Sequence, residues 1–310
     1  MSSREYELIG FSDETHDSFD FLVYSVGYER RSRYVASQFS KQANKILAFV
    51  FPDCHELSFD ENLKYAQEIG AFPFYEHLDL RAVFSEADSE LNTLKGKRIL
   101  VDVSSMSRTV LSVLLSQLLD DDFFAGADIA FVYAVAKFSE PASFEYDFLD
   151  FAPIPEFSGW TASPEKPMAM VLGLGYEADH AVGAVEYLDP SATFCFFPKG
   201  TDHRFVDAVK KSNEPLLDQI KPSRIINYSV LDPLHTFSLL SSIMHSLLET
   251  ARFVLVPMGP KIFVALCLVC QRVHGDEVSV WRASGHSRDS LKDVDAEGPI
   301  TGFWVRRGVF

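Results

Sequence analysis

The chain repeats itself, and this limits its fold more than any single motif does. "SVGYE" (Ser25 to Glu29) recurs as "GLGYE" (Gly173 to Glu177), with Gly27 and Gly175 lying 148 residues apart. "AFVFPD" recurs as "FCFFPK", Pro52 matching Pro198 at an offset of 146. Asp79 in "HLDL" matches Asp232 in "VLDP" at 153. "ILVDVSSMSRTVLSVLLSQLL" aligns with "FVLVPMGPKIFVALCLVCQRV", Arg108 over Lys261, again at 153. "APIPEF" echoes "GPITGF", Pro153 over Pro299, at 146. Each match alone is weak, but five in the same order within a narrow band of offsets indicate a diverged tandem duplication.

The expected units are residues 1–158 and 168–310, joined by a linker at 159–167 inside the proline-rich "FAPIPEFSGWTASPEKP". At 310 residues the chain is long enough for two domains of ordinary size, and 47% hydrophobic content supplies a core to each. Within each copy, short β-rich runs alternate with helical patterns. In the first copy the strands read as "DFLVYSV", "KILAFVF", "FYEHLD", "RILVDVS" and "ADIAFVYAVA". In the second they read as "AMVLGLG", "ATFCFFP", "RIINYSV", "ARFVLVP" and "EVSVWRA". Such alternation indicates βαβ units with right-handed crossovers. The fold class is therefore α/β, with two tandem Rossmann-like three-layer sandwiches built on mostly parallel sheets.

Composition excludes several function classes. A net charge of −16 argues against a general surface for duplex nucleic acid. Most of the acidic excess lies before residue 150, which leaves room for a local anion site. The longest apolar stretches are broken by proline, glycine and lysine, so no membrane partner is expected. The N-terminus is acidic and lacks an apolar signal core, so a cytoplasmic location is expected. Four cysteines do not make a disulfide framework. Cys267 and Cys270 form a CxxC, but within an apolar helical pattern and without a second ligand pair. They read as core residues, and neither a metal nor a cofactor is expected.

Ligands of open parallel sheets sit at the carboxyl ends of the strands, where the strand order reverses. The distinctive strand-end loops are "GYERRSR" and "SSMSR" in the first copy, "GYEADH" and "MGPK" in the second. A strand, a tight turn and a helix start present free backbone N–H groups to an anion. Ser104, Ser105 and Ser107 can donate hydroxyl hydrogen bonds, and Arg108 can grip an oxyanion with two. Gly259 permits close backbone approach, and Lys261 adds a point charge. Gly27, Tyr28, Glu29 and Arg30 are candidate contacts in the first copy, with Gly175, Tyr176, Glu177 and Lys199 in the second. Tyr28 and Tyr176 suit stacking on a base or contact with a sugar. Simpler roles exist for all of these: "SSMSR" as a serine cap on a buried helix, the glutamates as partners of nearby arginines, one or two of Arg30, Arg31 and Arg33 on a solvated surface.

The "VPMGPKIFVALCLVC" segment, with Gly259 and Lys261 before a helix, resembles the fourth-strand loop of CARF domains, the ligand-sensing modules of CRISPR-associated regulators. Two such units in one chain are similar to the SAVED sensors of antiphage systems. The resemblance implies a cyclic oligonucleotide bound in a cleft between the duplicated units, and a separately encoded effector as partner in antiviral defence. "SSMSR" departs from the glycine-lysine pattern, as does Pro260 between Gly259 and Lys261. Two other functions compete with a sensor. One is an enzyme acting on a nucleotide or phosphorylated metabolite, using Asp102, Ser104, Ser105 and Glu29 in the first copy, where the second copy has Leu255 opposite Asp102. The other is a scaffold subunit whose pockets have decayed.

Overall fold

The structure is a computed structural model describing residues 6–12, 18–52, 55–75, 79–140, 149–159, 164–176, 178–285 and 291–308. Its strands are β1 (Tyr6–Gly10), β2 (Phe19–Val26), β3 (Ala43–Val50), β4 (Phe72–Phe74), β5 (Arg98–Asp102), β6 (Asp128–Ala136), β7 (Leu149–Pro153), β8 (Met168–Gly173), β9 (Ala192–Lys199), β10 (Ile225–Ser229), β11 (Arg252–Pro257), β12 (Val278–Gly285) and β13 (Ala296–Arg307). Its α-helices are α1 (Tyr34–Phe39), α2 (Phe59–Glu68), α3 (Leu80–Ala87), α4 (Arg108–Asp120), α5 (Ala178–Leu188), α6 (His203–Ser212), α7 (Glu214–Leu217), α8 (Pro233–Leu247) and α9 (Lys261–His274).

Two sheets result, in the orders β1-β13-β6-β5-β2-β3-β4 and β10-β9-β8-β11-β12-β7. Numbered within each copy, both contain the parallel order 3-2-1-4-5 followed by an antiparallel strand, β13 or β7, and β1 extends the first sheet beyond β13. The shared order is the duplication written in topology, and each sheet is Rossmann-like.

Central strands are mostly apolar because both of their faces are covered. In β2 Asp20 and the buried Ser25 break the run, and Asp20 is used locally. Its carboxylate accepts from Lys97 Nζ (2.9 Å) and Arg98 N (3.0 Å), tying the start of β2 to the start of β5. Helix α4 buries Leu111, Leu114, Leu115, Leu118 and Leu119, the spacing of a single helical face. In α9 every residue from Ile262 to Gln271 is buried. The matched Asp79 and Asp232 both cap the helix after the third strand, accepting from Ala82 N (3.1 Å) and His235 N (3.0 Å).

The compact units are residues 1–137 with 292–310, and residues 138–291. They differ from the successive segments 1–158 and 168–310 because each copy's last strand joins the other copy's sheet. β7 pairs antiparallel with β12, while β13 pairs antiparallel with β6 on one side and β1 on the other. Residues 137/138 and 291/292 are the two crossings between units. The echo of "APIPEF" in "GPITGF" marks this pair of exchanged segments.

Candidate ligand-binding site

In both units the first and fourth strands are neighbours, β2 with β5 and β8 with β11, so their loops meet at the switch point. A Cβ placed on Gly27 would stand 3.9 Å from the Ser105 carbonyl oxygen. One placed on Gly259 would stand 2.7 Å from the Leu174 carbonyl oxygen, closer than any side chain permits. Gly173 is just as constrained, since its Cβ would meet the Phe263 ring at 2.4 Å. Gly173 and Gly259 are required for close approach of the loops rather than for a positive φ, whereas Gly27 has room for a Cβ at ordinary contact distance.

A matched pair of asparagines holds the first loops, and sequence reasoning did not find them. Asn62 Nδ2 donates to the carbonyls of Gly27 and Glu29, both at 2.8 Å. Asn213 Nδ2 donates to the carbonyl of Gly175, also at 2.8 Å. Both side chains are buried, and each leaves its Oδ1 without a hydrogen-bond partner. An orphaned buried acceptor is costly, so these amides are there for their donors. Their separation of 151 residues falls within the range of the other repeat matches, and that was the available signal.

In the first unit the loops carry a buried ionic network. Arg31 donates to Glu29 Oε2 from Nη2 (2.8 Å) and Nε (3.1 Å), and to the Ser104 carbonyl from Nη2 (3.1 Å). Its Nη1 reaches the Tyr133 hydroxyl (3.2 Å) and the Ala134 carbonyl (3.4 Å). Burial works against the charge on Arg31, but Tyr133 and Glu29 outweigh it and hold the guanidinium above its ordinary pKa. The Ser105 hydroxyl also donates to Glu29 Oε2 (3.1 Å). Beneath this layer, Asp102 Oδ1 accepts from Ser104 N (2.8 Å) and Ser104 Oγ (2.5 Å). Burial pushes the Asp102 carboxyl up to about 6, against the opposing pull of the Ser104 hydrogen bonds and Arg31.

Several candidate residues occupy other places than a ligand surface. Ser104 is fully buried, and its hydroxyl also accepts from Ala134 N (2.8 Å), so it faces inward. Ser107 caps α4, accepting from Val110 N (3.1 Å). Arg30 is turned outward to Asp293 (3.3 Å) and Asp295 (3.5 Å). Arg31, expected to be no more notable than its neighbours, is the buried one. Tyr28, Glu29, Ser105 and Arg108 are partly exposed around the crevice.

In the second unit Gly175, Tyr176, Gly259 and Lys261 are partly exposed, and Lys199 is exposed at the end of β9. Glu177 lies outside the described residues. Pro260, with φ −54° and ψ 146°, is the cap of α9, and Lys261 is its first residue. Strand register places Val256, not Leu255, opposite Asp102: Val23 pairs with Val101, and its counterpart Val171 pairs with Leu255. The acid is replaced by an aliphatic side chain in either alignment. Cys267 and Cys270 are fully buried in α9, where burial pushes the Cys270 thiol up to about 12 and the Cys267 thiol well above its usual range.

Two depressions, of about 460 and 420 Å3, lie near the amino ends of the strands and are not lined by the glycine loops. The first is bounded by Lys45 and Phe72, the second by Arg252 and Trp281. Crossover helices do not direct their N-termini to that end of a parallel sheet, so anion chemistry favours the carboxyl ends. Among the described residues, no group of His, Cys, Asp and Glu is arranged to hold a metal ion. Among the same residues, no helix is long and apolar enough to cross a membrane.

No protein-family model matches the chain, and no curated protein sequence is similar to it. Matches among solved structures are weak. A chain described as a universal stress protein from Pseudomonas aeruginosa UCBPP-PA14 is 9% identical, with a TM-score of 0.26 and coverage of 86% of this chain and 95% of that one. Phosphoethanolamine N-methyltransferase 1 from Haemonchus contortus is 8% identical, with a TM-score of 0.25 and coverage of 95% and 89%. The cytoplasmic domain of a prokaryotic cation chloride cotransporter is 9% identical, with a TM-score of 0.21 and coverage of 86% and 96%. Likeness of this degree carries no functional argument.

Proposed function

We propose that this protein is a sensor of a nucleotide or cyclic oligonucleotide, bound at the carboxyl ends of its two sheets and reported to a separately encoded effector in antiviral defence. One observation carries the ligand reading. In both copies a glycine loop, held by a buried asparagine amide, meets the loop entering a long buried helix at the topological switch point. The defence context rests on the resemblance of "VPMGPKIFVALCLVC" to the CARF loop.

The chemistry of the two sites is unequal. The first unit presents Ser105 and Arg108 beside a self-satisfied Glu29–Arg31 pair, and the second presents Gly259 and Lys261. A hydrolytic role for Asp102 and Ser104 is not favoured, because both are buried and the serine hydroxyl is engaged twice.

The test is a thermal-shift panel of AMP, NAD, ADP-ribose and linear and cyclic oligoadenylates, with mass spectrometry of small molecules released on denaturation. A ligand at about a hundredfold over its Kd adds about 2.7 kcal/mol of stability. Arg108→Ala and Lys261→Ala should each reduce the shift. A panel with no response would remove the reading, and a shift unchanged in both variants would relocate the site.

A further inference from the structure

The second unit carries a partly exposed aromatic cluster beside its glycine loop. The Tyr176 and Phe205 rings stack with centroids 5.9 Å apart and an interplanar angle of 20°. Phe138 meets Phe205 edge-on at 5.1 Å. The Arg204 guanidinium lies over Phe138 at 4.8 Å from its centroid. Tyr176 leans on the unit's hydrophobic core, but Phe205 and Phe138 do not belong to that cluster, and all three rings remain partly exposed.

Arg204 is held in place by Asp202, whose carboxylate accepts from its Nη2 (2.6 Å) and Nε (3.0 Å). That pairing spends the arginine's charge and leaves its flat face as an extension of the aromatic surface. Asp202 is also consumed as the cap of α6, accepting from Arg204 N (2.9 Å). Lys199 and His203 are the other basic side chains of the "KGTDHRF" segment, and both are exposed.

We infer that Tyr176, Phe205 and Phe138, extended by Arg204, form a stacking platform for the nucleobase of the ligand, with Lys199 and His203 facing its phosphate. This inference rests on the nucleotide reading above and deepens it. It assigns base recognition to the second unit, where the glycine-loop residue Tyr176 meets Phe205 of the helix after the second strand. Every nucleobase has a π-face, so such a platform binds bases generally and discriminates strongly against ligands that have none.

The test compares AMP and cyclic tetraadenylate with ribose 5-phosphate, which has the sugar and phosphate but no base. Binding is measured by calorimetry on the full chain. Phe205→Leu keeps apolar volume and removes the π-face, Phe205→Tyr restores it, and Phe205→Ala is the harsher probe. Loss of one base stack is expected to weaken the nucleotides about five- to a hundredfold, leave ribose 5-phosphate unchanged, and be reversed in the tyrosine variant. Nucleotides that bind the wild type and Phe205→Leu equally well overturn the platform while the nucleotide reading stands. Equal weakening of ribose 5-phosphate also overturns it, showing a structural role. A wild-type chain that binds neither nucleotide overturns both.

Discussion

Replacing Arg31 by methionine tests whether the first unit's loops are held by a buried ionic network. The Arg31 side chain is 8% exposed and that of Glu29 17%, so neither is rescued by solvent when the other is lost. Methionine retains the length and loses every donor. Glu29 then keeps only the Ser105 hydroxyl among these contacts, while the Tyr133 hydroxyl and the carbonyls of Ser104 and Ala134 each lose a donor. Breaking a buried pair from one side costs about 3–5 kcal/mol, because a charge is stranded. Against a total of about 5–15 kcal/mol for a domain, that brings the unit close to unfolding. Adding Glu29→Gln removes the stranded charge, so the double variant should regain about 1–2 kcal/mol over the single one. Urea denaturation at pH 7.5 measures both, in proteins retaining only Trp304 (first unit) or only Trp281 (second unit) as fluorescent reporter. A cost below about 1 kcal/mol for Arg31→Met, or a further loss on adding Glu29→Gln, would refute the reasoning.

Three further outcomes are expected. Asp102 has a folded pKa near 6, above its ordinary value of 3.8, so the folded state binds the extra proton between these values. Its contribution is therefore most favourable below pH 4 and is lost as the pH rises to about 6. Asp102→Asn keeps the Oδ1 acceptor and should gain on the wild type across that interval, by up to about 3 kcal/mol, and level off above it; a flat difference contradicts this. A chain of residues 138–291 should unfold cooperatively in urea, whereas 168–310, which lacks β7 and carries an unpaired β13, should not. Cys267 and Cys270 should resist a thiol reagent at pH 8 in the native protein and react only through the urea transition, because both are fully buried.

Much of the fold was legible because parallel strands buried on both faces leave a strong apolar signature. Nine of the ten strands read are present with ends displaced by at most two residues, while "FYEHLD" shares only Phe74 with β4 (Phe72–Phe74) and lies partly outside the described residues. The three strands that went unread, β1, β7 and β13, are the antiparallel ones at or near the sheet margins. β7 and β13 are short or interrupted by proline and glycine, and β13 carries an irregularity between Ala296 and Ile300. Nothing local to such a segment says which of two equivalent sheets it will join, so the exchange was invisible although the repeat itself was not.

The site was legible in position more than in role. Gly27, Gly175 and Gly259 were recognisable because a strand stops abruptly at each. Arg31 was not, since three arginines in "RRSR" look alike until Glu29, Tyr133 and the Ser104 carbonyl surround one of them. Ser104 looked available because a hydroxyl at a strand end is the usual form of a donor, and only the depth of Asp102 turns it inward. Asn62 and Asn213 sit in otherwise ordinary helical sequence, so only their shared offset could have singled them out.

Amide chemical-shift mapping on the full chain, with AMP and cyclic tetraadenylate added to saturation, tests the central claim most directly. Binding at the switch points should move the resonances of Gly27, Tyr28 and Ser105 in the first unit and of Gly175, Tyr176, Gly259 and Lys261 in the second. Lys45, Phe72, Arg252 and Trp281, near the amino ends of the strands, should stay in place. Unchanged spectra, or shifts confined to that second group, would contradict the account.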